Sequence, residues 1–156
     1  MIFKKIDPKA KLPQLSTDGS SGYDIYVCRV LDKETRAVIS NLEKPIMIRP
    51  GESILFGSGI ALEIPPTLHA IVVSRSGLSA KHDIEVGNPG APIDSDYRGE
   101  FTILWRNFGK ERFEVVRFMK IAQLVFHPRI LVKWVESIKL SKTEKGDKGH
   151  GSTGLY

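Results

Sequence analysis

The stretch GNPGAPIDSDYRGEF, from Gly87 to Phe101, sets two carboxylates, Asp94 and Asp96, just ahead of Tyr97 in a turn rich in proline and glycine. Two readings are open there. Acids in such turns commonly accept backbone hydrogen bonds. The sharper reading makes one of them a general base for water, with the tyrosine ring as a platform for a sugar or a base. VSRSGLSAK, from Val73 to Lys81, puts Arg75, Ser76 and Gly77 at the end of an apolar strand and before a helix start. A guanidinium fork, a hydroxyl and helix-opening N–H groups suit a phosphate chain, although an arginine beside an N-cap serine is also an ordinary surface feature. In SSGYDIYV, Asp24 lies in a strand, and a carboxylate buried there needs a cation, an arginine or a metal-bound water as its partner. Gln123 is the one polar residue inside the apolar part of KIAQLVF. The closing stretch KGDKGHGSTGLY has glycines at the spacing of a nucleotide-binding P-loop, but Ser152 stands where the lysine should follow and no helix comes after it. It reads either as a flexible glycine-rich end or as backbone N–H groups, with Ser152 and Thr153, that can close around an anion.

These residues must be held by short elements. Strands are expected at Tyr23–Val30, Lys44–Pro50, Ser53–Ile64, Leu68–Ser74, Glu100–Phe108, Arg112–Phe118, Lys120–Phe126 and Ile130–Ser137, all rich in Ile, Val, Phe and Tyr. The GSG inside the third run is expected to split it by a turn or bulge. One short helix is expected over Ser76–Asp83, since no window keeps a helical period for three turns. Many short strands with turn punctuation predict an all-β sandwich, jelly roll or barrel. Residues 1–140 read as one domain, and 141–156, where apolar residues vanish until Leu155, as a flexible C-terminal arm.

The chain has 156 residues, enough for one domain with a sizeable core. Lys and Arg number 23 against 18 Asp and Glu, a net charge of +5 that favours anionic partners such as a polyphosphate. The charge is spread rather than blocked, so neither nucleic acid nor a membrane is expected as a partner. The single cysteine, Cys28, excludes an intrachain disulfide. The four histidines, at 69, 82, 127 and 150, lack ligand spacing, so no zinc site is expected. The N-terminus lacks the apolar run of a signal peptide, which makes a reducing cytoplasm the expected location.

Taken in order, SSGYDIYV, SRSGLSAK, GNPGAPIDSDYRGE, KIAQLVF and KGDKGHGSTG resemble the five motifs of the trimeric dUTP diphosphatases, or dUTPases. The resemblance runs from about Ser20 to Gly154, and IDSDYRGE with a terminal GSTG is highly specific. It implies a distorted jelly roll, a homotrimer with active sites between subunits, and conversion of dUTP and water to dUMP and pyrophosphate with Mg²⁺ on the phosphates. By that resemblance Asp94 positions and deprotonates the attacking water. Tyr97 packs on the deoxyribose, and Asn88 begins the hairpin that reads uracil. Arg75, Ser76, Gly77 and Gln123 contact the phosphates, and Asp24 reaches Mg²⁺ through water. Lys145, His150, Gly151, Ser152 and Thr153 belong to an arm that closes over the substrate.

The chain departs from the family pattern at several places. Lys145 stands for the usual Arg and His150 for the usual Phe, which trades a bidentate fork for a point charge and a larger apolar ring for a titratable one. Ser74 replaces a proline, and FMK at 118–120 replaces a usual GDR. Two alternatives stay in view: a dCTP deaminase-like enzyme of the same fold, and a catalytically idle nucleotide-gated binding protein.

Overall fold

The computed structural model describes residues 1–148. In chain order its strands are β1 (Ile2–Lys5), β2 (Tyr23–Tyr26), β3 (Arg29–Leu31), β4 (Val38–Ser40), β5 (Ile46–Ile48), β6 (Ser53–Glu63) and β7 (Leu68–Val73). After the single helix α1 (Ser76–His82) come β8 (Ile84–Val86), β9 (Pro92–Ile93), β10 (Glu100–Asn107), β11 (Phe113–Val115) and β12 (Lys120–Pro128). The large sheet runs β4-β3-β6-β10-β8 with β1 also on β6, a second runs β2-β12-β7-β9, and β5 pairs with β11. Every pairing is antiparallel, and the result is a distorted jelly roll.

Alternation along the strands builds the core between the sheets. In β10, Phe101, Ile103 and Trp105 point inward while Thr102, Leu104 and Arg106 point outward. Trp105 meets Phe56 and Phe113 edge to face, at centroid distances of 5.6 and 5.7 Å. Its indole N–H donates to the Ile121 carbonyl at 2.9 Å, stitching β10 to β12 and leaving no buried donor unpaired there. Among the described residues no helix is long and apolar enough to cross a membrane.

Several expectations from sequence need correction. The run Tyr23–Val30 is not one strand: the chain leaves the smaller sheet after Tyr26 and joins the larger at Arg29. At the crossing, Val27 exchanges hydrogen bonds with Phe118 and Met119, and Cys28 donates to the Gly57 carbonyl at 2.9 Å. The GSG does not split its strand, because β6 is continuous and absorbs the glycines as a bulge opposite Glu100–Thr102. Gly59 there has φ +73, and a Cβ would meet that of Ala10 at 2.7 Å, so only glycine fits. The expected strand at Ile130–Ser137 is absent. β12 runs on to Pro128, and the residues after it are exposed on all sides, Trp134 by 91% and Ile138 fully. β-propensity needs a partner edge to act on, and among the described residues no strand pairs with the segment. Residues 141–148 are exposed and carry only a turn at its end.

Candidate active site

The second sheet lines up one half of the site. Register places Asp24 of β2, Gln123 of β12 and Val73 of β7 side by side, and Arg75 follows where β7 ends. Asp24 is fully buried and four donors enclose its carboxylate. Ser16 Oγ and Lys120 Nζ reach Oδ2 at 2.6 and 2.8 Å, while Gln123 Nε2 and Arg75 Nε reach Oδ1 at 3.2 and 3.3 Å. Burial pushes this carboxyl up, but the hydrogen bonds from Lys120, Ser16 and Gln123 and the Arg75 charge outweigh it and hold the group below its usual range.

Asp24 in turn fixes the cation beside it. Arg75 gives Nε to Asp24 and Nη1 to the Lys120 carbonyl at 3.2 Å, so its guanidinium is held twice. The side chain keeps 34% of its surface exposed and, with Ser76, Gly77, Lys81, His82 and Gln123, lines a cavity of about 270 Å³. Ser76 and Gly77 open α1, where N–H groups have no intrahelical acceptor, and nothing lies within 4 Å of where a Gly77 Cβ would be. An anion can therefore approach this backbone closely. On the other side of Gln123, Gly22 leaves room for the amide, since a Cβ there would come within 3.1 Å of its Oε1.

The other half lies away from this cavity. Asp94 and Tyr97 share a tight turn in which the Tyr97 N–H donates to the Asp94 carbonyl at 3.2 Å. The Tyr97 hydroxyl donates to the Glu100 carbonyl at 2.9 Å, which fixes the ring over Gly99. Both side chains are exposed, and with Pro92, Ile93, Phe101 and Thr102 they line a cavity of about 200 Å³. Asn88 lies on an adjoining cavity of about 230 Å³ that shares Thr102 and is flanked by Lys33 and Arg36.

The two halves do not meet within one chain. Ile93 pairs with Ala70, so Asp94 follows level with His69, while Arg75 lies six residues further along the chain, two past the end of β7. At about 3.3 Å per residue the two are on the order of 20 Å apart. Of the residues expected from sequence, Arg75, Ser76, Gly77, Gln123 and Asp24 come together, and Asp94, Tyr97 and Asn88 form the second group. Lys145 is exposed on the C-terminal segment, and His150, Gly151, Ser152 and Thr153 lie outside the described residues. Sequence reading passed over Ser16 and Thr102, and took Lys120 only as a departure from pattern. Ser16 carries no signal of its own in a run of serines and turn residues.

As a metal site the arrangement is sparse. Among the described residues no three His, Cys, Asp or Glu side chains converge where a metal ion could sit. Asp24, with four donors already on it, presents no free lone pair to a metal-bound water. The described residues therefore offer no protein cage for a divalent cation.

Comparison with known proteins gives a consistent answer. The family model described as dUTPase matches residues 41–154. A deoxyuridine 5'-triphosphate nucleotidohydrolase of Clostridium acetobutylicum is 43% identical over 98% of this chain and 95% of its own. One from Gloeothece citriformis is 42% identical over 97% and 94%. Among solved structures, a dUTPase of Staphylococcus bacteriophage 80alpha bound to dUpNHpp superposes with a TM-score of 0.78, covering 99% of this chain and 98% of that one at 22% identity. A dUTPase of phage phi11 of S. aureus, described with a structural Mg(II) ion, superposes with a TM-score of 0.73 at 18% identity, over 90% of this chain and 98% of its own.

Proposed function

The chain belongs to the dUTPase family, and from that premise we propose that it hydrolyses dUTP to dUMP and pyrophosphate in active sites shared between copies of itself. The observation that carries the sharing is the separation of the two halves. Hydrolysis at the α-phosphorus needs its base and its phosphate clamp on one substrate, and within one chain Asp94 and Arg75 stand too far apart. A site that takes Asp94, Tyr97 and Asn88 from one chain and Arg75, Ser76, Gly77 and Gln123 from another resolves this. Closed cyclic symmetry repeats such a heterologous contact around a ring, and a homotrimer is the assembly we assign. The exposed apolar run from Ile130 to Leu140 supports an assembly, because burying it needs a surface that the described residues of one chain do not supply.

In this reading uracil enters the hairpin that starts at Asn88, where backbone donors and acceptors match a uracil edge and mismatch cytosine. The Tyr97 ring, held by its bond to Glu100, packs against the deoxyribose and leaves no room for a 2′-hydroxyl. Arg75, the opening N–H groups of α1 and Gln123 hold the phosphate chain, with Lys145, His150, Gly151, Ser152 and Thr153 closing over it and excluding bulk water. Asp94, exposed on its turn, takes a proton from water aligned opposite the leaving pyrophosphate, and no covalent nucleophile is required. A Mg²⁺ ion bound with the triphosphate would supply charge neutralisation. The Asp24 carboxylate serves first to hold Arg75, and it would be the residue to hold such an ion through water were Lys120 to give up Oδ2. Lowering dUTP and supplying dUMP for thymidylate synthesis, in the cytoplasm, is the corresponding cellular role.

The test is a panel of dUTP, dTTP, dCTP and UTP assayed for pyrophosphate and ammonia. Pyrophosphate from dUTP alone supports the reading. Ammonia from dCTP without pyrophosphate from dUTP replaces it with a deaminase, and dUTP binding without turnover replaces it with a binding protein.

A further inference from the structure

We infer that Ser74 is a positioning residue that ties the phosphate-binding loop to the uracil-reading hairpin. The Val86 N–H donates to Ser74 Oγ at 2.8 Å, and Val86 is buried. Ser74 immediately precedes Arg75, and Val86 lies two residues before Asn88. Within one chain this hydrogen bond therefore joins the segment that leads into the phosphate half of one site to the segment that leads into the uracil half of a neighbouring one.

The surroundings make this bond carry position. The chain between the two residues is an excursion that holds α1, and no residue of that helix is buried. Leu78 packs on the core, His82 meets Phe113 edge to face at 5.1 Å, and the Phe108 N–H donates to the Asp83 carbonyl at 2.9 Å, which holds the C-terminal end of the helix. The N-terminal end, where Ser76 and Gly77 are exposed, depends on how the excursion is closed at its base. Ser79 Oγ adds only a long bond of 3.4 Å to the Ile84 carbonyl, whereas the Ser74 bond closes the base. On the far side, Gly87 donates to the Leu104 carbonyl at 2.7 Å, and a Cβ there would come within 3.0 Å of the Leu104 side chain. A hairpin that starts from so close a contact inherits any shift in Val86. Without the hydroxyl, the Val86 N–H is left buried and unpaired, which the chain relieves by moving one segment or the other.

The inference rests on the proposed function for which parts of the substrate feel the change, so its test has an arm that needs no substrate. In the unliganded protein, hydrogen exchange at the Val86 amide is expected to speed up at least ~10-fold in Ser74→Ala and to stay at the wild-type rate in Ser74→Thr, which keeps the hydroxyl. In the assay, Ser74→Ala is expected to raise KM for dUTP about 3- to 10-fold, the range of one net hydrogen bond, and to narrow the preference for dUTP over dCTP, with Ser74→Thr restoring both. If Ser74→Ala does not fold, Ser74→Cys, which fills the same space with a weak acceptor, must show the same changes in smaller measure. Faster exchange with unchanged KM and unchanged preference would make the bond merely structural and overturn the inference, as would unchanged exchange. A wild-type protein that does not turn over dUTP contradicts the proposed function instead, and leaves the exchange result to decide the link itself.

Discussion

Replacing Asp24 with asparagine removes the one negative charge that holds Lys120 and Arg75 together. The new amide also turns a donor toward one of two groups that can only donate. Breaking a buried ion pair by losing one partner costs about 3–5 kcal/mol. Here the lower end applies, because Arg75 and Lys120 keep 34% and 39% of their side-chain surface exposed and water can take up part of their solvation. A loss of about 3 kcal/mol corresponds to a fall in Tm of roughly 6–12 °C for a chain of this size. The pH dependence has a definite sign. The folded-state pKa of Asp24 lies below the unfolded value, so its contribution is fully present above the unfolded pKa and disappears as pH falls through the folded one. Wild type is therefore expected to lose stability below about pH 4 in a component that Asp24→Asn lacks. The assay is thermal unfolding at fixed protein concentration across pH 2 to 8, as an order-of-magnitude span for carboxyl titration, paired with dUTP turnover. KM should rise as the guanidinium of Arg75 loses its anchor. A Tm loss under about 2 °C with unchanged KM would refute the reasoning, since Asp24 would then be holding nothing that matters.

Three further outcomes follow from the same geometry. Asp94→Asn should leave dUTP binding within about threefold while lowering kcat by about 10²- to 10⁴-fold, read by single-turnover pyrophosphate release beside equilibrium binding. Trp134→Lys should weaken assembly, because its ring is 91% exposed in the single chain; light scattering on dilution checks it, and an unchanged oligomer contradicts it. Arg29→Met should cost about 2–4 kcal/mol in chemical denaturation, because Arg29 pairs at 2.6 Å with Glu100, which also accepts the Gly59 N–H at 2.6 Å.

Alternation and turn residues were enough to reveal the long strands β6, β7, β10 and β12, and the short helix stood out because SGLSAKHD follows an apolar run, although its N-cap is Arg75, without a side-chain cap, and Ser76 is already its first residue. The sheet switch at Val27–Cys28 left no mark in sequence, since YDIYVCRV is apolar on both sides of the break and only the pairing partners change. β1, β4, β8 and β9 were missed because strands of two to four residues carry too little periodicity to register. Ile130–Ser137 misled for the opposite reason. Its residues have the right propensity, but among the described residues no strand offers the edge they need. In the site, the motif residues were legible one by one, and Asp24 was marked as a carboxylate in want of a partner. That its partners are Ser16, Lys120, Gln123 and Arg75 together depends on three strands and a loop converging, which no local pattern encodes. The distance between Asp94 and Arg75 likewise comes from register alone.

The sharing of each site between chains can be measured by complementation. Asp94→Asn and Arg75→Ala, prepared as separate proteins, should each be nearly inactive on dUTP. Unfolded together in equal amounts and refolded, they form mixed rings in which some sites draw an intact Asp94 from one chain and an intact Arg75 from another. With random assembly about a quarter of the sites are whole, and dUTP turnover should return to about that fraction of wild type. Mixed assemblies with no recovered activity would place both residues of a site on one chain and contradict the account.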